Sequence, residues 1–176
     1  MIFESSHDDK VYLISRIEKA IEEKYQFLPI FARGGKMSTV LWTNVLENGK
    51  VNSDESDKHA LYKYSKKLDK LTNQLNVVRF TSVQDVTDMQ FNLSEEDLPD
   101  GMESTDEVMA EKGVWVSGFE AVEMLEKLIS HISDDKVKFG LFSNDHEEVI
   151  NELKESLIIA KKAKNINGKF NYSVVM

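Results

Sequence analysis

Carboxylate side chains are the groups in this sequence whose spacing suggests chemistry. Ten of them lie between Arg79 and Lys112 with no lysine or arginine among them, so that segment has a formal charge of −10. The full chain of 176 residues has 31 Asp and Glu against 22 Lys and Arg, which leaves 21 acids and 22 bases, a charge of +1, for the rest. We call the ten residues the acidic window: Asp85, Asp88, Glu95, Glu96, Asp97, Asp100, Glu103, Asp106, Glu107 and Glu111.

Three interpretations of the acidic window follow from its residue types. Charge runs usually face water, so the first is a solvated loop. The second is a docking surface for a basic partner, with neighbouring apolar residues such as Phe91, Leu98 and Met102 as anchors. The third is a divalent-cation site, because such cations prefer oxygen ligands, although the EF-hand spacing is not met. We predict the docking surface, since like charges repel over about 8 Å at physiological salt and a cationic partner relieves that repulsion.

Residue patterns typical of enzymes are missing from the sequence. Gly34-Gly35-Lys36 lacks the first glycine and the Ser or Thr of a phosphate-binding loop. The four histidines include no pair at metal-ligand spacing, and the absence of cysteine excludes a thiol nucleophile and a Cys-ligated zinc. We therefore predict a protein that is not an enzyme, with no catalytic residue, no metal and no cofactor. A carboxylate pair of the glycosidase kind stays open, because so acidic a chain offers many such pairs.

Composition also limits the kinds of partner that the protein can bind and the compartment in which we expect it. A net charge of −9 argues against direct binding of nucleic acid or of an anionic membrane. The first ten residues do not resemble a signal peptide, and the longest apolar runs are far shorter than the roughly 18–20 residues of a membrane span. We therefore predict a cytoplasmic protein.

The elements that position these residues alternate between helix and strand. Apolar residues at helical spacing predict helices over 8–25 and 57–74. Residues rich in Val, Thr and Trp predict a strand over 37–46, and Asn48-Gly49 predicts a two-residue turn after it. The arm after that turn is polar at once, so we expect a short hairpin. A further strand is predicted over 76–83.

The C-terminal third has the most regular pattern. It predicts strand, helix, strand, helix and strand from Gly113 to Met176, with the middle strand over 137–142. Capping-box pairs at Ser117 with Glu120 and at Asn144 with Glu147 open the two helices. We predict an α/β or α+β fold, with a mixed sheet and about four helices. One domain over 1–176 is expected, with a loop-rich acidic insertion at about 84–112.

This combination resembles the immunity proteins of bacteria that neutralise secreted nuclease toxins, including those of contact-dependent growth inhibition systems. The likeness rests on the acidic window and on a small, cysteine-free, acidic chain without a catalytic motif. Immunity proteins differ in fold, so the resemblance implies nothing about topology. It implies a cytoplasmic inhibitor that covers, or lies beside, the active site of a basic toxin domain that cleaves RNA or DNA.

Two other functions stay open beside an inhibitor. The same acids suit an adaptor or regulator that mimics nucleic acid and binds a nucleic-acid-binding protein. A small hydrolase with an unrecognised carboxylate site is the other alternative. The sequence leaves the oligomeric state open.

Overall fold

A five-stranded mixed sheet organises the residues that the computed structural model describes, which are 39–94, 97–140 and 144–176. The strands are β1 (Val40–Glu47), β2 (Lys50–Lys58), β3 (Gln84–Asp85), β4 (Val116–Ser117) and β5 (Lys169–Val175). The helices are α1 (His59–Lys63), α2 (Ser65–Gln74), α3 (Thr87–Leu93), α4 (Thr105–Lys112), α5 (Gly118–Asp134) and α6 (His146–Asn165), with a 3-10 helix at Phe80–Val83. The predicted mixed α+β class is confirmed. The helix predicted over 8–25 lies outside the described residues, so a single domain over 1–176 stays a prediction.

Strand order explains why the sheet is mixed. β2, β1 and β5 are neighbours and antiparallel, whereas β3 pairs parallel with the free edge of β5. β4 pairs antiparallel with the first residues of that same edge. The acidic window therefore begins in a strand of the sheet, the edge strand β3.

The hairpin of β1 and β2 is longer than its polar sequence suggests. Asn48 and Gly49 have φ of +50° and +77°, as the predicted turn requires. The expectation of a short hairpin is wrong, because β2 runs for nine residues. β2 is an edge strand on which most side chains are exposed or half-buried, so a polar sequence is compatible with strand pairing there.

The two faces of the sheet meet different layers. Side chains alternate along a strand, so Thr43 and its partner Tyr172 face one side, and Asn44 and its partner Asn171 face the other. The pKa of Tyr172 is raised by burial and also by the charge of Glu152, which places α6 on the Tyr172 side. On the other side the Asn44 amide lies 3.9 Å from the sulfur of Met109 in α4. The acidic window thus covers the face of the sheet that α6 leaves open.

The predicted helices form with two changes. The helix predicted over 57–74 is interrupted at Tyr64, between α1 and α2. The capping box at Ser117 and Glu120 is present at the start of α5. The second predicted box is wrong, because Asp145 is the N-cap of α6 and the Asn144 side chain accepts the backbone N–H of Phe139 instead.

Two predicted strands are absent from the described residues. Over 76–83 the backbone ends in the 3-10 helix, where Thr72 and Asp69 of α2 accept the N–H groups of Phe80 and Thr81. Residues 137–140 form no strand either, and residues 141–142 lie outside the description. Phe139 packs edge-on against Tyr64, with ring centroids 5.1 Å apart, so this segment packs on helices rather than in the sheet.

Candidate protein-binding surface

Three short elements position the acidic window. β3 opens it, α3 follows at once, and a loop over residues 97–104 leads into α4. Buried Met89 on α3, with Val108 and Met109 on α4, holds these helices against the rest of the fold. Within the described part of the window, Thr87–Leu93 and Thr105–Lys112 are therefore helical.

Asp85 lies inside the fold rather than on a surface. Its side chain is 2% exposed, and its carboxylate accepts the N–H of Thr87 at 2.9 Å and that of Val114 at 2.7 Å. A β-carbon at Gly113 would lie 2.9 Å from one oxygen of that carboxylate. Asp85 thus ties β3 to the segment before β4, and we leave it out of the binding surface.

Two other window acids stabilise α3 and α4. The half-buried carboxylate of Asp88 accepts the Thr105 hydroxyl at 3.0 Å and the Asn92 amide at 2.9 Å, which links the two helices. Glu107 accepts the N–H of Glu103 at 2.6 Å, while its own N–H donates to the N-cap hydroxyl of Ser104 at 3.3 Å. Both acids therefore help to form the scaffold of the surface.

The other described acids of the window are exposed. They are Asp97, Asp100, Glu103, Asp106 and Glu111, on α4 and the loop before it. Glu95 and Glu96, which the sequence also placed on the docking surface, lie outside the described residues. Half-buried Phe91, Leu98 and Met102 lie among these acids along the chain and are candidates for the apolar anchors.

Asp106 on α4 lies near acids of two other elements. Its pKa is raised, first by partial burial and then by the negative charges of Asp88 on α3 and Glu55 on β2. α4 packs beside β2, so the exposed Glu55 extends the surface. We call Glu55, Asp97, Asp100, Glu103, Asp106 and Glu111 the acidic surface. Sequence reasoning missed Glu55, although the acids of residues 53–57 (Ser-Asp-Glu-Ser-Asp) were a signal once β2 was known to be a strand.

No family model, curated protein or solved structure matches this chain.

Neither a cluster of metal ligands nor a membrane-spanning helix is found among the described residues. Within residues 39–94, 97–140 and 144–176, no three His, Asp or Glu side chains are grouped as metal ligands would be. None of the helices in those ranges combines the length and apolar character that a membrane span needs. What the acidic surface offers is a set of oxygen acceptors and negative charge for cationic groups of another molecule.

Proposed function

We propose that this protein is a stoichiometric inhibitor, of the immunity or antitoxin kind, that binds a basic toxin domain through the acidic surface. The observation that supports this most directly is the position of Asp106, whose pKa is raised mainly by partial burial and further by the negative charges of Asp88 on α3 and Glu55 on β2. A fold that only needed to stay in solution gains nothing from bringing β2 acids against α4 acids. A cationic partner would turn that repulsion into attraction.

The ordered scaffold also supports a docking role. Asp85, Asp88 and Glu107 fix β3, α3 and α4 through hydrogen bonds, so Asp106 and Glu111 lie on a helix that is held in place. A surface that is ordered before binding loses less conformational entropy when a partner docks. Complementary charge then raises the association rate and selects against acidic partners.

A nuclease toxin is the kind of partner we propose. Proteins that cleave RNA or DNA present lysine and arginine where the phosphates bind, and an acidic surface is complementary to that site. The inhibitor would act in the cytoplasm by occupying or flanking the site, without turnover of its own. An adaptor that mimics nucleic acid would use the same surface, and a hydrolase would not need it.

Four substitutions define the variant that tests this proposal. The acidic-surface variant carries Asp100→Asn, Glu103→Gln, Asp106→Asn and Glu111→Gln. The matched control carries Glu123→Gln, Glu126→Gln, Asp134→Asn and Glu148→Gln on exposed positions of α5 and α6, with the same change in charge. The control breaks two surface ion pairs, with Lys127 and Lys161, which contribute little to stability.

The experiment has two stages. Wild type, variant and control are each used to capture partners from a bacterial lysate, and each captured basic protein is purified and assayed for nuclease activity with increasing amounts of the wild type. We expect a nuclease that is captured by wild type and control but not by the variant, and that is fully inhibited at one equivalent. Capture of a DNA- or RNA-binding protein without nuclease activity would instead support the adaptor. Turnover of RNA, DNA or an ester by the protein alone would contradict the inhibitor.

A further inference from the structure

The structure also contains a basic pocket, opposite in charge to the acidic surface. It has a volume of about 570 Å³, between the end of α5 and the start of α6, and Lys136, Lys138 and Lys154 line it. Glu147 is the only acid among the described residues that line it. The chain has a net charge of −9, so a cavity lined by three lysines has a local charge opposite to that of the whole protein.

The three lysines are not used by ion pairs within the described residues. Lys63, Lys127 and Lys161 each have a carboxylate oxygen within 3.0 Å, whereas no such pair is formed by the pocket lysines in residues 39–94, 97–140 and 144–176. Lys136 also has φ of +47°, a conformation that favours glycine or asparagine. The other described non-glycine residues with positive φ are all asparagines.

His146 forms a fixed wall of the pocket. Its Nδ1 lies 2.7 Å from the carbonyl oxygen of Val137, and since a carbonyl only accepts, Nδ1 carries the hydrogen. The side chain is 14% exposed, and its Nε2 lies 3.9 Å from the Glu147 carboxylate. The ring is therefore held in one orientation, and buried Ile150 adds an apolar contact in the same cavity.

We propose that this pocket binds a small phosphorylated molecule, with its phosphate at the three lysines and its organic part against His146 and Ile150. Three ammonium groups match the charge of a phosphomonoester or a diphosphate, whereas one carboxylate would leave two of them unpaired. The cavity lies within the ~300–1,000 Å³ range typical of small-molecule sites, which exceeds what a free phosphate fills. A long nucleic acid would extend beyond the pocket onto a protein whose net negative charge repels its phosphates. A small anion therefore fits better.

Binding of AMP, pyrophosphate, inorganic phosphate and adenosine, measured by titration calorimetry, tests the proposal. The pocket variant is Lys136→Gln, Lys138→Gln and Lys154→Gln. The control is Lys50→Gln, Lys112→Gln and Lys169→Gln, which changes the charge equally at exposed positions that do not line the pocket. We expect one equivalent of AMP to bind at low salt. The pocket variant should bind it at least about tenfold more weakly, and the control within about twofold of wild type, because lysines in direct contact with phosphate contribute more than distant charge.

The ligands and one further variant separate the parts of the proposal. Adenosine should bind more weakly than AMP if the phosphate carries recognition. His146→Ala should weaken AMP more than pyrophosphate if the ring contacts the organic part. The proposal is overturned if none of the four probes saturates, or if both lysine variants lose affinity equally. A short single-stranded RNA that binds more tightly than AMP would also overturn it. Thermal melts of each variant verify that the fold is retained.

Discussion

At the scale of single residues, two buried acids act through the backbone. Asp85 accepts the N–H groups of Thr87 and Val114. Glu152 on α6 accepts those of Ala60 and Leu61 at 3.1 and 2.8 Å. Glu152 thereby supplies acceptors for the start of α1, whose N-cap residue makes no side-chain cap. These carboxylates join segments that are distant in sequence, which is a different task from that of the exposed acids.

Asp85→Ala tests whether Asp85 stabilises the fold rather than binding the partner. The substitution leaves the N–H groups of Thr87 and Val114 without their acceptor in a buried site, so we expect a loss of about 1–3 kcal/mol in the free energy of unfolding. Chemical denaturation measures this loss. Partner binding by the fraction that stays folded should be unchanged. A stability equal to wild type would show that Asp85 is not a structural residue.

Glu152 gives the protein a predictable pH dependence. Its pKa is raised above the usual value near 4.5, mainly by burial. The folded protein therefore keeps a proton that the unfolded chain releases, so raising the pH through this interval lowers stability. Glu152→Gln cannot titrate, and we expect wild type to lose stability relative to this variant as the pH rises from about 4 toward 7. Urea denaturation of both proteins at several pH values measures the difference, and a constant or opposite trend would contradict the raised pKa.

At the scale of elements, α5 and α6 meet closely at one point. The N–H of Gly118 at the start of α5 donates to the carbonyl of Gly168 at 3.1 Å, and a β-carbon at residue 118 would lie 2.3 Å from the backbone nitrogen of Lys164. That distance is too short for any side chain, and the atoms involved are backbone.

Gly118→Ala tests this contact. Accommodating the methyl group requires α5 to shift away from the end of α6, so we expect a loss of about 1–3 kcal/mol in unfolding free energy, as overpacking usually gives. The comparison variant is Ala substitution of Ser130, an exposed position of the same helix. If both variants melt at the same temperature, the helices do not approach this closely.

The apolar faces of α2 and α5 pack in the core. Leu68 and Leu125 are fully buried, so Leu68→Ala and Leu125→Ala should each lower unfolding free energy by about 2–5 kcal/mol. Chemical denaturation measures this loss as a lower denaturant midpoint, provided that the denaturant dependence of the unfolding free energy is unchanged. Losses below about 0.5 kcal/mol at both sites would mean that these faces pack against something other than the core.

Sequence reasoning succeeded where local signals agree with tertiary packing. The Asn48-Gly49 turn, the Ser117 capping box and the helical spacing of apolar residues over 57–74 are local patterns, and the structure has each of them. It failed where burial is set by distant partners. Phe139 packs against Tyr64 instead of joining the sheet. The role of Asp85 depended on Val114, 29 residues away, which no spacing rule reveals.

At the scale of the whole described molecule, charge is segregated. The acidic surface lies on α4, the loop before it and β2, and the basic pocket lies between the end of α5 and the start of α6. Such separation orients an approaching partner through its field before contact, an effect that salt weakens. We therefore expect the acidic-surface variant to keep or raise the melting temperature, because its substitutions remove repulsion.

The rate of association with the captured basic partner, followed by stopped-flow fluorescence at low and at high salt, tests the docking role of the acidic surface most directly. We expect the acidic-surface variant to associate roughly tenfold or more slowly than wild type at low salt, with the difference shrinking at high salt. The α5 and α6 control, with the same net charge, should associate at close to the wild-type rate. Equal rates for all three proteins at both salt concentrations would contradict the docking role and leave the acidic surface as a solvated face.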